Sequence, residues 1–404
     1  MEYVSVGEAA RLWGVTERVV QGYCSQGRIE GAEKVSGTWH IPENARKPSD
    51  MRRRDADDDR GRLQREVSLR GASTMTNLMP LMNTAFEPGF ALETAQSFEA
   101  GPRRDIACAE HAYFTGDAAR AVELAEPYLE SGSLGSRLSA CLICAYANLP
   151  LGRIDRAIDA LEGARGAVLR ASEGEPRLRA AEGFIAQTAS VLLHLPAPRL
   201  AQDAGKVIPL LPAGLRAFAF YVQAHAMYLA GEHSLSLGIA ETALLGMDKT
   251  YPIPAIYLHL VAVMDLMARR RADEARAHLL AAWELARPDG LIEPLGEHHG
   301  LLGGMLEAAI KPAWPDDFRR IIDITYRFSA GWRRVHNPAT GDDVADNLTT
   351  TEFAASMLAA RGWTNAQIAD HLGVSPNTVK TFVSSAMSKL HVRRRQDLAR
   401  YLLT

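Results

Sequence analysis

The sequence predicts a mainly all-α protein with four successive parts. Between residues 72 and 340, pairs of amphipathic helices recur around short turns. From about Leu348 onward, short helices follow one another, each preceded by a residue suited to capping. The clearest strand signal is one alternating run around Trp39. We therefore expect a small helix-and-hairpin module at 1–44, a charged linker at 45–71, a helical-repeat domain at 72–340 and a four-helix domain at 346–404.

Composition and charge bound the class of protein. Hydrophobic residues make up 47% and charged residues 23% of the 404 residues, as in an ordinary globular protein. The net charge is −3, so any surface for nucleic acid has to be local. No apolar run of about 18 residues predicts a membrane span, and the first residues lack the features of a signal peptide. The four cysteines are sparse for a disulfide scaffold, which favours a cytoplasmic protein.

A search for catalytic patterns gives no candidate. The chain has no G-x-x-x-x-G-K-[ST] stretch, which is the phosphate-binding loop of many ATPases, and no nucleophile with a base and an orienting group. We therefore expect no enzyme activity, metal or cofactor. "GEHHG", from Gly296 to Gly300, lacks the H-E-x-x-H spacing of zinc ligands, and we expect a surface turn. "CLIC", from Cys141 to Cys144, lies among apolar residues, so core packing is favoured over redox or metal chemistry.

The first 44 residues predict two short helices and a hairpin. Ser5 and Glu8 have the spacing of a capping box, and Gly14 suits a tight turn. "RIEGAEKVSGTWHIP" predicts the hairpin, with Ser36-Gly37 at its tip and Trp39 and Ile41 pointing inward. The inward face of the first helix is expected to comprise Ala9, Ala10, Leu12 and Val15. The second helix is expected to begin after Thr16 as N-cap and to present Arg18 and Gln21 away from Val19, Val20 and Tyr23.

This stretch resembles the winged helix–turn–helix of the excisionase and MerR type. The resemblance implies a helix in the major groove of DNA, with Thr16, Arg18 and Gln21 as contact candidates. The charge of the module leaves an alternative open, because residues 1–50 hold six basic and seven acidic residues. A nearly neutral module could dock a protein instead. The following stretch, Arg46 to Gly71, alternates basic and acidic runs and predicts a solvated linker whose arginines could contact phosphates.

The central region repeats one pattern of helix, turn and helix. The turns are expected at Gly116-Asp117, Gly152-Arg153, Gly231-Glu232 and Arg271-Ala272, with a degenerate copy near "LHLPAPRLAQDA". A period near 34 to 40 residues resembles tetratricopeptide repeats. The resemblance implies stacked hairpins whose concave surface takes a small-molecule, peptide or protein effector.

The C-terminal region predicts three capped helices in succession. Thr349 or Thr350 is expected to cap the first, with Glu352 in its first turn, and Gly362 to follow its end. Thr364 and Gln367 have the spacing of a capping box for the second helix. Its turn and the start of the third helix are expected at Gly373, Val374, Ser375 and Pro376.

The third helix divides into an apolar and a polar face. From Pro376 to the end of the sequence, six basic residues stand against Asp397 alone, so this region is locally positive. A polar face with few charges suits a helix that enters the major groove. The apolar face comprises Val379, Phe382, Val383, Ala386 and Leu390, and the polar face Asn377, Lys380, Thr381, Ser384, Ser385 and Ser388.

The stretches "LTTTEFAASMLAARG", "TNAQIADHLGVSPNTVKTFVSSAMSKL" and "HVRRRQDLARYLL" resemble the LuxR-type DNA-binding domain. The resemblance implies a four-helix domain whose third helix enters the groove and whose fourth, about Arg394 to Leu403, carries a dimer contact through Leu398, Tyr401 and Leu402. Phe382 stands where the family commonly has histidine. The implied DNA contacts are Asn377, Lys380, Thr381, Ser384, Ser385, Lys389 and Arg393.

We therefore expect a cytoplasmic, nucleoid-associated bacterial regulator of transcription. It would bind promoter or operator DNA as a homodimer, with an effector at its helical repeats and no membrane partner. The alternative is a protein-interaction scaffold, in which the terminal modules dock proteins rather than DNA.

Overall fold

The computed structural model describes residues 2–48, 71–171, 176–192, 208–336 and 348–400. The chain forms two compact units, Met1–Leu69 and Arg70–Thr404. Most of the expected linker and the degenerate repeat near "LHLPAPRLAQDA" lie outside the described residues. The prediction of a mainly helical chain is confirmed, because helices dominate throughout the described parts. No helix in these ranges is long and apolar enough to cross a membrane.

The first unit combines two helices with a three-stranded antiparallel sheet, in the order β1-β3-β2. Val35 pairs with Thr38, so Ser36 and Gly37 form the expected tip of the hairpin, both with positive φ. Ile41 is buried and Trp39 is partly buried. The elements are β1 (Tyr3–Ser5), α1 (Val6–Trp13), α2 (Glu17–Ser25), β2 (Glu33–Val35) and β3 (Thr38–Pro42).

Local signals in this unit are mostly confirmed. Ser5 and Glu8 form the expected capping box. Thr16 precedes α2, but its side chain makes no capping hydrogen bond. The inward position expected for Leu12 is wrong, because its side chain is 69% exposed. Helix α1 buries Val6, Ala9 and Ala10, and a residue two positions beyond Ala10 lies about 200° around the helix from it.

All four expected helical hairpins are present in the second unit. Their turns share one geometry, in which a residue with positive φ ends the first helix: Gly116, Gly152, Gly231 and, in the last hairpin, Arg270. The next N–H bonds a carbonyl five residues back, as from Arg271 to Leu266 at 2.9 Å. The hairpins are α5 (Pro102–Phe114) with α6 (Ala118–Ala125), α7 (Leu134–Ala147) with α8 (Ile154–Ala171), α10 (Ala213–Leu229) with α11 (His233–Leu245), and α12 (Pro252–Ala268) with α13 (Ala272–Ala286).

Further helices complete this unit. Before the hairpins come α3 (71–77) and α4 (Ala91–Ser97), and α9 (Pro176–Leu192) lies between the second and third hairpins. After them come α14 (Glu293–His298), a π-helical turn (Leu306–Ile310), α15 (Pro315–His336), α16 (Thr350–Ala360), α17 (Asn365–Leu372), α18 (Pro376–Lys389) and a 3-10 helix (Arg395–Arg400).

The two short motifs of the repeat region have different outcomes. Cys141 and Cys144 are buried in the core, as expected, and burial raises the pKa of these thiols to about 11 and about 12. The surface turn expected at "GEHHG" is wrong, because His298 and His299 are buried. Both imidazoles have partners inside the protein, since His298 contacts Tyr221 and the other histidine contacts Glu307 at 2.8 Å.

The last helix differs from the expectation. Residues Arg395–Arg400 form a 3-10 helix, and Tyr401 and Leu402 lie outside the described residues. Leu398 is 0% exposed, because the 3-10 helix packs on α16. Its side chain therefore fills the core of its own domain, which corrects the expectation that it supplies a dimer contact.

Candidate DNA-binding surface

The residues at the start of α18 fix the direction in which this helix leaves α17. Gly373 ends α17 with φ 66°, which makes the sharp turn that a side chain with Cβ would strain. Ser375 then caps α18 by accepting a hydrogen bond from the N–H of Thr378 at 3.1 Å. Pro376 occupies the first turn, where its missing N–H removes no helical hydrogen bond. Thr349 with Glu352 and Thr364 with Gln367 form the capping boxes of α16 and α17.

One face of α18 holds the helix on the domain. Val379, Val383 and Ala386 are buried, and Phe382 is partly buried against the same core. Leu390 closes this stripe just beyond the helix. The stripe follows helical spacing, so the side chains opposite to it face away from the domain.

The opposite face of α18 is open to solvent. Asn377, Lys380, Thr381 and Ser384 are all exposed. The hydroxyl of Thr381 donates a hydrogen bond to the main-chain oxygen of Asn377 at 3.0 Å. The lone pairs of the Thr381 hydroxyl oxygen therefore remain free to accept hydrogen bonds. Lys380 forms no ion pair with any residue that the structure describes. This face therefore carries amide, hydroxyl and ammonium groups that can meet base edges and phosphates.

Two other candidate contacts are hydrogen-bonded to a residue of their own domain. Ser385 and Lys389 donate to the two carboxylate oxygens of Glu352, each at 2.7 Å. Burial favours a raised pKa for Glu352, but hydrogen bonds from Lys389, Ser385 and the N–H of Thr349 outweigh it and lower the pKa to about 2. Glu352 is thus charged near neutral pH and joins the start of α16 to the end of α18. The sequence places Glu352 in the first turn of α16 but gives no local signal for its contacts with Ser385 and Lys389.

The remaining candidates lie at exposed positions. Arg393 follows α18 and is exposed. In the first unit, Thr16, Arg18 and Gln21 are exposed at the start and along one face of α2. Arg18 and Gln21 are three residues apart and so share a face of that helix.

The helix–turn–helix packs on the end of the repeats through a seam that leaves the polar face of α18 exposed. Arg270 donates to the main-chain oxygens of Arg361 and Gly362, both at 3.1 Å. The guanidinium of Arg361 in turn donates to the hydroxyl of Tyr228 at 2.7 Å. No local signal in the sequence identifies these partners, since they are 91 to 133 residues apart.

A second set of contacts extends the seam along α17. His371 donates from Nε2 to the main-chain oxygen of Gly303 at 3.1 Å. A Cβ on Gly304 would lie 3.0 Å from Leu372 and 3.2 Å from Ala354, so the two surfaces meet closely there. A cavity of about 340 Å³ opens beside these contacts. Its lining includes Arg270, Arg276, Met305, Trp363, Gln367 and His371.

Comparison with known proteins identifies the module that carries α18. Residues 346–402 match the family model of the bacterial regulatory proteins, luxR family. The match covers a small part of the 404 residues, and it confirms the luxR-type helix–turn–helix domain expected there. It supports a DNA-binding regulator of transcription. No curated protein and no solved structure matches the chain.

Proposed function

We propose that this protein is a sequence-specific, DNA-binding regulator of transcription that acts on operator DNA in the bacterial cytoplasm. The observation that carries the proposal is the exposed polar face of α18 on a luxR-type helix–turn–helix. Thr381 and Ser384 present short hydroxyls that suit base edges, and Lys380 presents a charge that suits a phosphate. Asn377 lies in the first turn of the helix, where its amide suits the DNA backbone at the edge of the groove.

Other candidate residues have supporting roles in this proposal. Ser385 and Lys389 position α18 through Glu352 rather than reading bases, because both are hydrogen-bonded to that carboxylate. Arg393 supplies positive charge for a phosphate next to the helix. The locally positive end of the chain attracts DNA although the net charge of the whole chain is −3.

The first unit adds a second contact. We propose a winged helix–turn–helix of the MerR and excisionase kind, with Thr16, Arg18 and Gln21 of α2 on DNA and the β2–β3 hairpin as the wing. The competing role is protein docking, which is favoured by exposed apolar side chains, with Leu12 69% and Val35 52% exposed.

The helical hairpins form a tetratricopeptide-like sensor in this proposal. Support comes from the common geometry of the four turns and from the seam between the last hairpin and the helix–turn–helix. An effector that changes the repeats would act on the DNA-binding domain through that seam. The regulator binds DNA as a homodimer, through a surface other than the buried Leu398.

Selection from randomised DNA tests the proposal. The full chain should enrich one operator, and footprinting should show two half-sites related by an inverted repeat. A chain without residues 1–50 should bind a long operator more weakly, by up to about a hundredfold if both modules engage at once. No enrichment by the full chain would favour the scaffold, and equal affinity of both chains would assign protein docking to the first unit.

A further inference from the structure

A group of acidic and aromatic side chains lies inside the repeat region, where α14 packs against α5 and α12. Glu293 and Glu297 are four residues apart on α14, so both carboxylates project from one face. Tyr257 of α12 donates to Glu297 at 2.9 Å, and Tyr113 of α5 donates to its other oxygen. Two helices that are distant in the sequence therefore each donate a hydrogen bond to Glu297, one turn along α14 from Glu293.

No cation of the described residues contacts these carboxylates. Glu293 is 2% exposed, and its Oε1 has no hydrogen-bond partner among the described residues. Arg327 acts on Glu293 through space, but its Nε donates to the main-chain oxygen of Asp323. A buried carboxylate oxygen without a partner is costly, so this atom is an available acceptor for a ligand.

The two tyrosines that contact Glu297 belong to a cluster of aromatic rings. The ring of Tyr257 lies 4.8 Å from that of Tyr221 and 5.1 Å from that of Phe218, centroid to centroid. The ring of Tyr113 lies 5.3 Å from that of Phe114. Aromatic faces attract cations, and more strongly where water is excluded. Glu297 is partly exposed, so one side of the group is in contact with solvent.

The nearby histidine supplies no positive charge near neutral pH. His298 donates from Nδ1 to the main-chain oxygen of Pro294 at 2.8 Å, so its Nε2 accepts from the hydroxyl of Tyr221 at 2.8 Å. Burial lowers the pKa of His298 to about 4. The imidazole is therefore neutral and fully engaged, and the local charge of the group is set by its carboxylates.

We propose that Glu293, Glu297, Tyr113 and Tyr257 bind the protonated primary amine of an effector. An ammonium group has three N–H donors, which can meet Oε1 of Glu293 and an oxygen of Glu297 while tyrosine rings cover its carbon chain. The amine can belong to a small molecule or to the N-terminus of a peptide, since the chemistry is the same.

The site has a direct physical connection to the DNA-binding domain. The segment that follows α14 places the ring of His299 6.4 Å from that of Phe353 in α16. A few residues further, Gly303 accepts the hydrogen bond from His371 in α17. A ligand that shifts α14 therefore acts on the seam. This regulatory consequence rests on the proposed function, whereas amine binding itself does not.

Proton release gives the site a distinctive signature. Burial raises the pKa of Glu297 to about 7. The pKa of Glu293 is also raised well above its ordinary value, first by burial and then by repulsion from the negative charge of Glu297. The empty site therefore holds a proton near neutrality, and an ammonium ion displaces it. Binding should tighten from pH 6 to pH 8, because fewer protons remain to be displaced.

Calorimetric titration of the full chain with butylammonium chloride, without DNA, tests the site. Sodium chloride at equal concentration controls for ionic strength, and two buffers of different ionisation enthalpy report the released proton. Trialanine with a free or an acetylated N-terminus distinguishes a peptide from a small amine. Glu293→Gln and Tyr257→Phe remove an acceptor and a hydroxyl, and Glu284→Gln removes an exposed carboxylate of α13 as the matched control.

We expect an affinity loss of at least about tenfold for Glu293→Gln and Tyr257→Phe, and none for Glu284→Gln. Circular dichroism checks that each variant folds. Binding of only the free-N-terminus peptide would support the site with a peptide as effector. The proposal is overturned if both amines behave like sodium chloride, or if folded Glu293→Gln and Tyr257→Phe bind as well as the wild type. DNA binding without amine is measured separately, so failure here leaves the proposed function standing.

Discussion

Arg270 donates from Nη2 to the main-chain oxygen of Gly362 at 3.1 Å and so ties the last helical hairpin to the DNA-binding domain. Its backbone has φ 60° at the position where the other three hairpins have glycine. A non-glycine residue in this conformation costs about 1–2 kcal/mol. The two hydrogen bonds from its guanidinium, each worth about 1 kcal/mol or more, offset that cost.

Substitution of Arg270 should loosen the seam without disturbing the hairpin. Arg270→Gly suits the positive φ and removes the whole side chain, including the guanidinium that contacts Arg361 and Gly362. We expect faster hydrogen exchange over residues 361–373 and unchanged exchange within α12 and α13. Arg269→Ala, at the exposed neighbouring position, is the control. Equal exchange in Arg270→Gly and in the wild type would mean that other contacts alone hold the domain.

Lys380 should set part of the salt dependence of DNA binding. Lys380→Ala removes one phosphate contact, so binding should weaken on all sequences and the slope of log K against log salt should fall by about one. Titration of the full chain at several salt concentrations measures it. Arg394→Ala is the comparison variant, because it removes an arginine whose charge is already paired with Asp397. An unchanged slope would remove Lys380 from the interface.

Thr381 and Ser384 should read bases rather than phosphates. Each change to Ala should cost about 1–3 kcal/mol on the selected operator and little on random DNA. Thr381→Ser keeps the hydroxyl and should retain most of the preference. Selection from randomised DNA measures the effect. Recovery of the same preferred operator by both alanine variants would assign base reading to other residues.

Glu352 should stabilise the DNA-binding domain in a pH-dependent way. Its folded pKa of about 2 lies below the ordinary value of 4.5. Its contribution is therefore complete above about pH 4.5 and is lost as the pH falls towards 2. Glu352→Gln removes the charge that Lys389 and Ser385 contact, so we expect a loss of about 1–3 kcal/mol in the free energy of unfolding at pH 7.

Urea titrations at pH 7, 4 and 3 measure the difference between Glu352→Gln and the wild type. The difference should shrink as the pH falls. Glu126→Gln, which breaks an exposed pair with Arg156, should change stability by less than about 1 kcal/mol at every pH. A difference that stays constant from pH 7 to pH 3 would contradict the role of the charge.

Substitution of Leu398 should lower the stability of the domain rather than directly disrupt a dimer contact. Leu398→Ala leaves a cavity in a fully buried position and should lower the free energy of unfolding by about 2–5 kcal/mol. Leu245→Ala, at a position that is 88% exposed, should have little effect. Denaturation and analytical ultracentrifugation together separate the two outcomes. A stable Leu398→Ala chain that no longer dimerises would restore the dimer contact implied by the family resemblance.

The sequence alone determined the elements whose signals are local. The caps at Ser5, Thr349, Thr364 and Ser375 and the turn at Gly373 all lie where the sequence predicts them. Each depends on hydrogen bonds or backbone angles within a few residues, so a local residue pattern predicts it. Thr16, which makes no capping hydrogen bond, is the exception. The same reasoning applies to the three hairpin turns with glycine, whereas the fourth turn has its positive φ at Arg270, one residue before the expected Arg271-Ala272. Helical spacing predicted the two faces of α18.

Only the tertiary structure decided which polar groups are buried and what they contact. "GEHHG" has the composition of a surface turn, yet its histidines and the neighbouring Glu293 are buried among side chains from distant helices. Leu12 and Leu398 show the same limit for apolar residues, since one is exposed and the other fully buried. The seam through Arg270 and Gly362 joins residues 92 positions apart. Burial depends on which distant surfaces meet, and local residue patterns carry little information about that.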